Sequence, residues 1–176
     1  HPSATVVALA EGLQTSFYRL DAAGVGHQFH WLTVDLPTIT ELRQRLLPPS
    51  DRVSVCAQSA LDYSWMDRVE PSKGVFITTE GLLMYLQPDE ALGLIAECAK
   101  RFPGGQMMFD LPPVLFTAWI RNGSRASLRY RVPPMPFVFP PSRIANLANA
   151  VRGIRAVQDL PMAPGRGKVM NALMWT

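Results

Sequence analysis

Short apolar runs rich in β-branched and aromatic residues alternate along the chain with segments whose apolar positions recur at helical spacing. Thr5 to Leu9 (TVVAL), Phe29 to Val34 (FHWLTV), Val53 to Cys56 (VSVC), Gly74 to Thr78 (GVFIT) and Gln106 to Phe109 (QMMF) are near-continuously apolar. Strands buried on both faces, as in a parallel sheet, read this way. Between them, Pro37 opens a helical stretch (TITELRQRLL) with Ile39, Leu42 and Leu46 on one stripe, and Pro48-Pro49 stops it. A longer helix is predicted from Pro88 to Phe102. Pro88 suits its first position, Asp89 and Glu90 its positive end, and Gly104-Gly105 its stop. Leu92, Ile95, Ala99 and Phe102 form its apolar stripe. Alternation of strand and helix predicts a parallel α/β sheet.

After Pro113 the pattern weakens. A short helix is expected over Val114 to Arg121, then an extended Arg- and Pro-rich excursion (NGSRASLRYRVPPMPFVFPP), a helix from Ser142 to Val151 and a strand from Ile154 to Gln158. No internal repeat is present.

Composition narrows the class. With 176 residues, 48% of them hydrophobic and 18% charged, the chain is a folded domain and not a disordered one. No apolar run reaches the length of a membrane span, and the amino terminus lacks the basic segment of a signal peptide. Cys56 and Cys98 form neither a disulfide framework nor a metal motif, so a reducing cytoplasm is the expected compartment and no metal is expected. The net charge of +3 conceals a split. His1 to Leu111 carries 8 Lys/Arg against 13 Asp/Glu, whereas Pro112 to Thr176 carries 9 against 1.

Ligands of open α/β sheets bind at the carboxyl ends of the strands, near the switch in strand order. The polar residues cluster there: Glu11-Gly12, Asp35, Ser59 to Asp62, Glu80-Gly81 and Asp110. Asp35 lies 23 residues beyond Gly12, close to the spacing at which a carboxylate binds ribose hydroxyls of a nucleotide-type cofactor. The first turn, ALAEGLQ, has one glycine where a dinucleotide fingerprint has three, which disfavours a nicotinamide-binding oxidoreductase. A cofactor without phosphates, held by carboxylates, fits better. His27 and His30 sit at the wrong end of the second strand for catalysis, and Tyr85 suits either a pocket wall or the core. Arg121, Arg125, Arg129 and Arg131 have one aromatic neighbour, Tyr130, which does not make a nucleic-acid stacking platform.

These residues resemble a known family. EGLLMYLQPDEALGLIAECAKRFPGGQMMFD, Glu80 to Asp110, is similar to the signature stretch of the leucine carboxyl methyltransferase and polyketide O-methyltransferase family. VVALAEGLQTSFYRLD, VDLPTITELRQRLLP and SALDYSWMD resemble its preceding segments in the same order. The resemblance implies a Rossmann-like class I methyltransferase fold that uses S-adenosylmethionine. It implies that Glu11 and Gly12 approach the methionine part of the cofactor and that Asp35 binds the ribose. It also implies that Leu61 and Asp62 surround the adenine and that Glu80, followed by Gly81, holds the amino group. The family pattern is close to Gly-x-Gly-Leu-Asp-Thr-Arg, whereas this chain has Ala10-Glu11-Gly12-Leu13-Gln14-Thr15-Ser16. Family members also carry an N-terminal helical segment and a final strand without counterpart between His1 and Thr176.

The expectation is therefore one methyltransferase-like domain over residues 1–176, incomplete at both ends. Its expected activity is methyl transfer to a hydroxyl or carboxylate of a small molecule, with no nucleic-acid or membrane partner. The alternative is a truncated or degenerate member that binds without catalysing. A sheet lacking covering elements predicts an exposed apolar face or open edge, and hence self-association.

Overall fold

The computed structural model describes residues 3–25, 28–112, 133–138 and 141–160, with the side chains of 141–145 left aside. Among these residues, five strands form one sheet: β1 (Thr5–Leu9), β2 (His30–Asp35), β3 (Val53–Ala57), β4 (Val75–Thr79) and β5 (Gln106–Phe109). Every pairing is parallel and the order is β3-β2-β1-β4-β5. Within this sheet β1 lies between β2 and β4, so the order switches between β1 and β4. Each strand stands within a residue or so of its predicted place.

Among the described residues, four α-helices accompany the sheet: α1 (Ser16–Ala22), α2 (Pro37–Leu46), α3 (Pro88–Arg101) and α4 (Pro141–Ala150). Short 3-10 helices occupy Tyr63–Arg68, Pro71–Lys73 and Leu83–Tyr85. Pro88 starts α3, and a reciprocal capping box between Gln87 and Glu90 satisfies two free N–H groups of its first turn.

The two sheet faces differ. On one, Val7, Leu9, Leu32, Val34 and Ile77 pack with Ala91, Leu94, Ile95 and Cys98 of α3, together with Trp65 and Leu83. Phe137 and Leu147 complete this core from the later part of the chain. On the other, Ala8 and Trp31 pack with Phe17 of α1 and with Phe29. An ion pair between Arg52 and Asp21, with the Arg52 guanidinium 5.0 Å from the centre of the Phe17 ring, closes the end of that cluster. Toward β5 this second face is more open: Phe76 is half-buried and Met108 is 38% exposed. Among the described residues β5 is a sheet edge.

Two expectations change, and one helix appears that the sequence pattern did not predict. The stretch Ile154 to Gln158 forms no strand; Ile154 and Val157, three apart, touch the core from an irregular segment without sheet partners. The predicted stripe of α2 is also displaced. Leu46 is 60% exposed, and the fully buried positions are Thr40 and Arg43. Helix α1 had no clear sequence signal, since only Phe17 of its seven residues is buried. The helix expected over Val114 to Arg121, the arginines from Arg121 to Arg131, and His27 lie outside the described residues. Among the described residues no helix is long and apolar enough to cross a membrane, and no cluster of His, Cys, Asp and Glu could hold a metal.

Candidate functional site

The polar residues at the strand ends are linked by hydrogen bonds that run along the carboxyl edge of four adjacent strands. The chain leaves β1 through Ala10 at φ 51° and Gly12 at φ 58°, two left-handed residues in a tight turn. Gly12 donates its N–H to Asp35 Oδ2 at 2.8 Å, and Leu36 donates to Asp35 Oδ1 at 2.8 Å. Asp35, at the end of β2, thus fixes the turn after its neighbour β1. Gln14 Nε2 then donates to Glu80 Oε2 at 3.3 Å, crossing the switch point from the β1 turn to the β4 turn. Beyond it, Gly81, at φ 68°, donates its N–H to Asp110 Oδ1 at 2.7 Å. The two glycine turns are matched: in each, a carboxylate from the next strand outward holds the glycine N–H.

Both turns leave room beside the backbone. A Cβ placed on Gly12 or on Gly81 would meet nothing within 4 Å. Glycine suits both turns for its left-handed φ, and with no side chain it leaves the space beside the backbone open. Each Asp35 oxygen accepts one of these backbone N–H groups, and a carboxylate offers about four acceptor sites in all. Asp35 therefore retains capacity for hydroxyl groups.

Glu11 behaves differently from its neighbours. Its side chain leaves the strand-end cleft and enters the layer between the sheet and the helices, where the residue is 5% exposed. There Glu11 Oε2 accepts from Trp31 Nε1 at 3.1 Å and Thr33 Oγ1 at 2.9 Å, and pairs with Arg43 Nη2 at 3.0 Å. Burial raises the Glu11 pKa above the ordinary carboxylate value, against the opposing pull of Arg43 and the two hydrogen bonds. Only the Glu11 backbone lies in the turn. Arg43 was missed in the sequence, where an arginine on an amphipathic helix reads as part of the solvated face.

The loop after β3 is organised on its own. Gln58 Nε2 donates to the carbonyl of Asp62 at 2.7 Å and to Ser64 Oγ at 2.9 Å. Asp62 Oδ1 caps the following 3-10 helix by accepting from Ser64 N. Leu61 is half-buried against the main core. Asp35 stands in register with Ala57, which brings this loop to the same edge of the sheet. Thus Gly12, Asp35, Glu80 and Gly81 are drawn into one bonded run, with Leu61 and Asp62 at its β3 end. His30 opens β2 at the opposite end, and Tyr85 is 40% exposed in the 3-10 helix after β4. Beside Glu80 a cavity of about 370 Å³ runs over the sheet face, lined by Ser16, Arg19, Leu20, Phe76 and Met108.

No protein-family model matches the chain. It is 33% identical over 110 residues to the tetracenomycin polyketide synthesis O-methyltransferase TcmP of Streptomyces glaucescens, over 62% of this chain and 40% of that protein. The chain therefore spans about two-fifths of the length of this curated relative. Among solved structures, an O-methyltransferase family protein from Burkholderia thailandensis superposes with a TM-score of 0.55 at 21% identity. That match covers 84% of this chain and 45% of that one. LepI, solved in complex with S-adenosylmethionine, superposes with a TM-score of 0.51 at 17% identity, over 64% and 28%. The fold is the Rossmann-like fold of class I methyltransferases.

Proposed function

We propose that this chain carries the cofactor-binding part of an S-adenosylmethionine-dependent O-methyltransferase acting on a small molecule. The observation that supports it most is the acidic run from Asp35 through Glu80 to Asp110, set around two open glycine turns at the switch point. When bound, S-adenosylmethionine supplies a methyl group on a sulfonium sulfur, open to displacement by an oxygen. The residues suit such a ligand. Asp35 accepts from the ribose hydroxyls, and Gly12 and the Glu11 backbone flank the methionine part. Glu80 and Gly81 meet the ammonium end, and Leu61 and Asp62 border the adenine. Three carboxylates, with the buried Arg43 already paired to Glu11, balance a ligand of positive charge.

The protein's part in the transfer is to hold an acceptor oxygen in line with the methyl group and to exclude water. The name of TcmP supports a polyketide-like acceptor with a hydroxyl or carboxylate group. The two free, buried cysteines fit a reducing, cytoplasmic location. The open face around Met108 supports self-association.

Calorimetric titration with S-adenosylhomocysteine tests the reading. The chain should bind one equivalent, and Asp35→Ala should weaken binding by about tenfold or more, the loss of hydrogen bonds to a charged acceptor. No heat from the wild-type chain would overturn the assignment. Saturable binding together with no methyl transfer to any phenol or carboxylate tested would favour a binding module instead.

A further inference from the structure

We propose that Arg43, which stands in α2 and outside the strand-end cleft, is the positioning residue that sets the shape of the cofactor turn. The inference rests on the cofactor reading above and assigns a role to a residue that this reading leaves unused.

Arg43 is 5% exposed, and its guanidinium serves three groups of one turn. Nη1 donates to the carbonyl of Gly12 at 2.6 Å and to the carbonyl of Gln14 at 2.9 Å, while Nη2 pairs with Glu11 at 3.0 Å. Three links, from Glu11, Gly12 and Gln14, thus end on one planar group. Such a fork is what arginine offers and lysine does not. The same turn is held from its other side, since Gly12 N–H reaches Asp35. Gly12 is gripped at both its N–H and its carbonyl by the β2–α2 unit.

The turn needs that grip. Ala10 adopts φ 51°, a left-handed conformation that is costly for a residue with a side chain. Strain of this kind persists only where surrounding contacts over-determine it. Glu11 keeps the fork in place: its Oε2 is fixed by Trp31 and Thr33 on β2 and receives Arg43 as the third donor. The order of control runs from β2 to Glu11, from Glu11 to Arg43, and from Arg43 to the Gly12 and Gln14 carbonyls. Gln14 in turn donates to Glu80, so the clamp also reaches the β4 side of the site.

The test compares wild type with the double variant Glu11→Gln/Arg43→Met, which removes both charges and leaves none buried alone. A second variant, Arg43→Lys, keeps the charge but not the fork. Two readouts are used: hydrogen exchange of the Gly12 amide, and S-adenosylhomocysteine affinity by calorimetry. In the double variant the Gly12 amide should exchange faster, and affinity should fall by about tenfold or more, as expected when a binding group is displaced. Arg43→Lys should fall between the two proteins. Leu94→Ala, a core change in α3, controls for destabilisation and should leave the affinity unchanged. Wild-type exchange and affinity in the double variant would overturn the proposal. An equal loss of affinity in Leu94→Ala would do so too. No heat from the wild-type chain would strike the cofactor reading, and the clamp would then stand or fall on Gly12 exchange.

Discussion

Replacing Gly12 by alanine separates what the turn does for the fold from what it does for a ligand. Gly12 has φ 58°, and a Cβ there would meet nothing within 4 Å. The fold therefore suffers no clash, and the backbone conformation is the main cost. That conformation costs a residue with a side chain about 1–2 kcal/mol. Alanine also narrows the unfolded ensemble, which returns about 0.4–1 kcal/mol. The net loss is about 1 kcal/mol, a fall of roughly 2–4 °C in thermal midpoint for a chain of this size. The ligand is affected more strongly. The new methyl fills the open space beside the turn, and forcing extra volume into a packed contact costs about 1–3 kcal/mol. Each 1.4 kcal/mol is about tenfold in affinity. Thermal melts and titration with S-adenosylhomocysteine, run on the same preparation, read both quantities. A small fall in midpoint with a large loss of affinity is the expected pair. An unchanged Kd would refute the placement of the cofactor against Gly12, and a collapse of the midpoint would refute the open-space argument.

Other outcomes follow from the same structure. Leu94→Ala empties a fully buried position of α3 and should cost about 3 kcal/mol, read as a shift in the urea midpoint; a loss below about 1 kcal/mol would contradict the packing described. Burial pushes the Cys98 thiol up to about 12, so it should resist a thiol reagent in the native state and react once unfolded. Glu11 gives a pH signature. Its folded pKa lies above the ordinary 4.5, so the folded state binds the extra proton between those two values. Wild-type stability measured relative to Glu11→Gln should be greatest below 4.5 and decline as pH rises through the folded pKa. Urea titrations of both proteins across that range read the difference, and a difference that grows with rising pH would refute the argument.

The strands were legible because burial on both faces leaves a dense apolar, β-branched record, as in TVVAL and HWLTV. Helix α3 was legible from its caps more than its stripe: Pro88, Asp89 and Glu90 mark its start chemically, whereas its buried positions are Ala91, Leu94, Ile95 and Cys98, and the predicted Leu92 and Ala99 are half-buried. The strand ends followed, and with them Gly12, Asp35, Glu80 and Gly81. What stayed hidden depends on partners distant in sequence. Arg43 is buried where Glu11, 32 positions earlier, and the Gly12 and Gln14 carbonyls meet its guanidinium. With Thr40 and Arg43 on the buried side of α2, Leu46, an apolar residue at helical spacing, faces solvent. Ile154 and Val157 misled for a related reason. An apolar pair that touches a core resembles a strand until the absence of a pairing neighbour is known. The left-handed φ of Ala10 was also unreadable, because nothing in the residue itself announces it.

A crystal structure of the 176-residue chain with S-adenosylhomocysteine tests the central claim most directly. The ribose hydroxyls should lie on Asp35 and the amino group at Glu80, with the ligand across the open sides of Gly12 and Gly81. A ligand seated instead in the cavity lined by Arg19, Phe76, Glu80 and Met108, with Gly12 and Asp35 untouched, would contradict that placement.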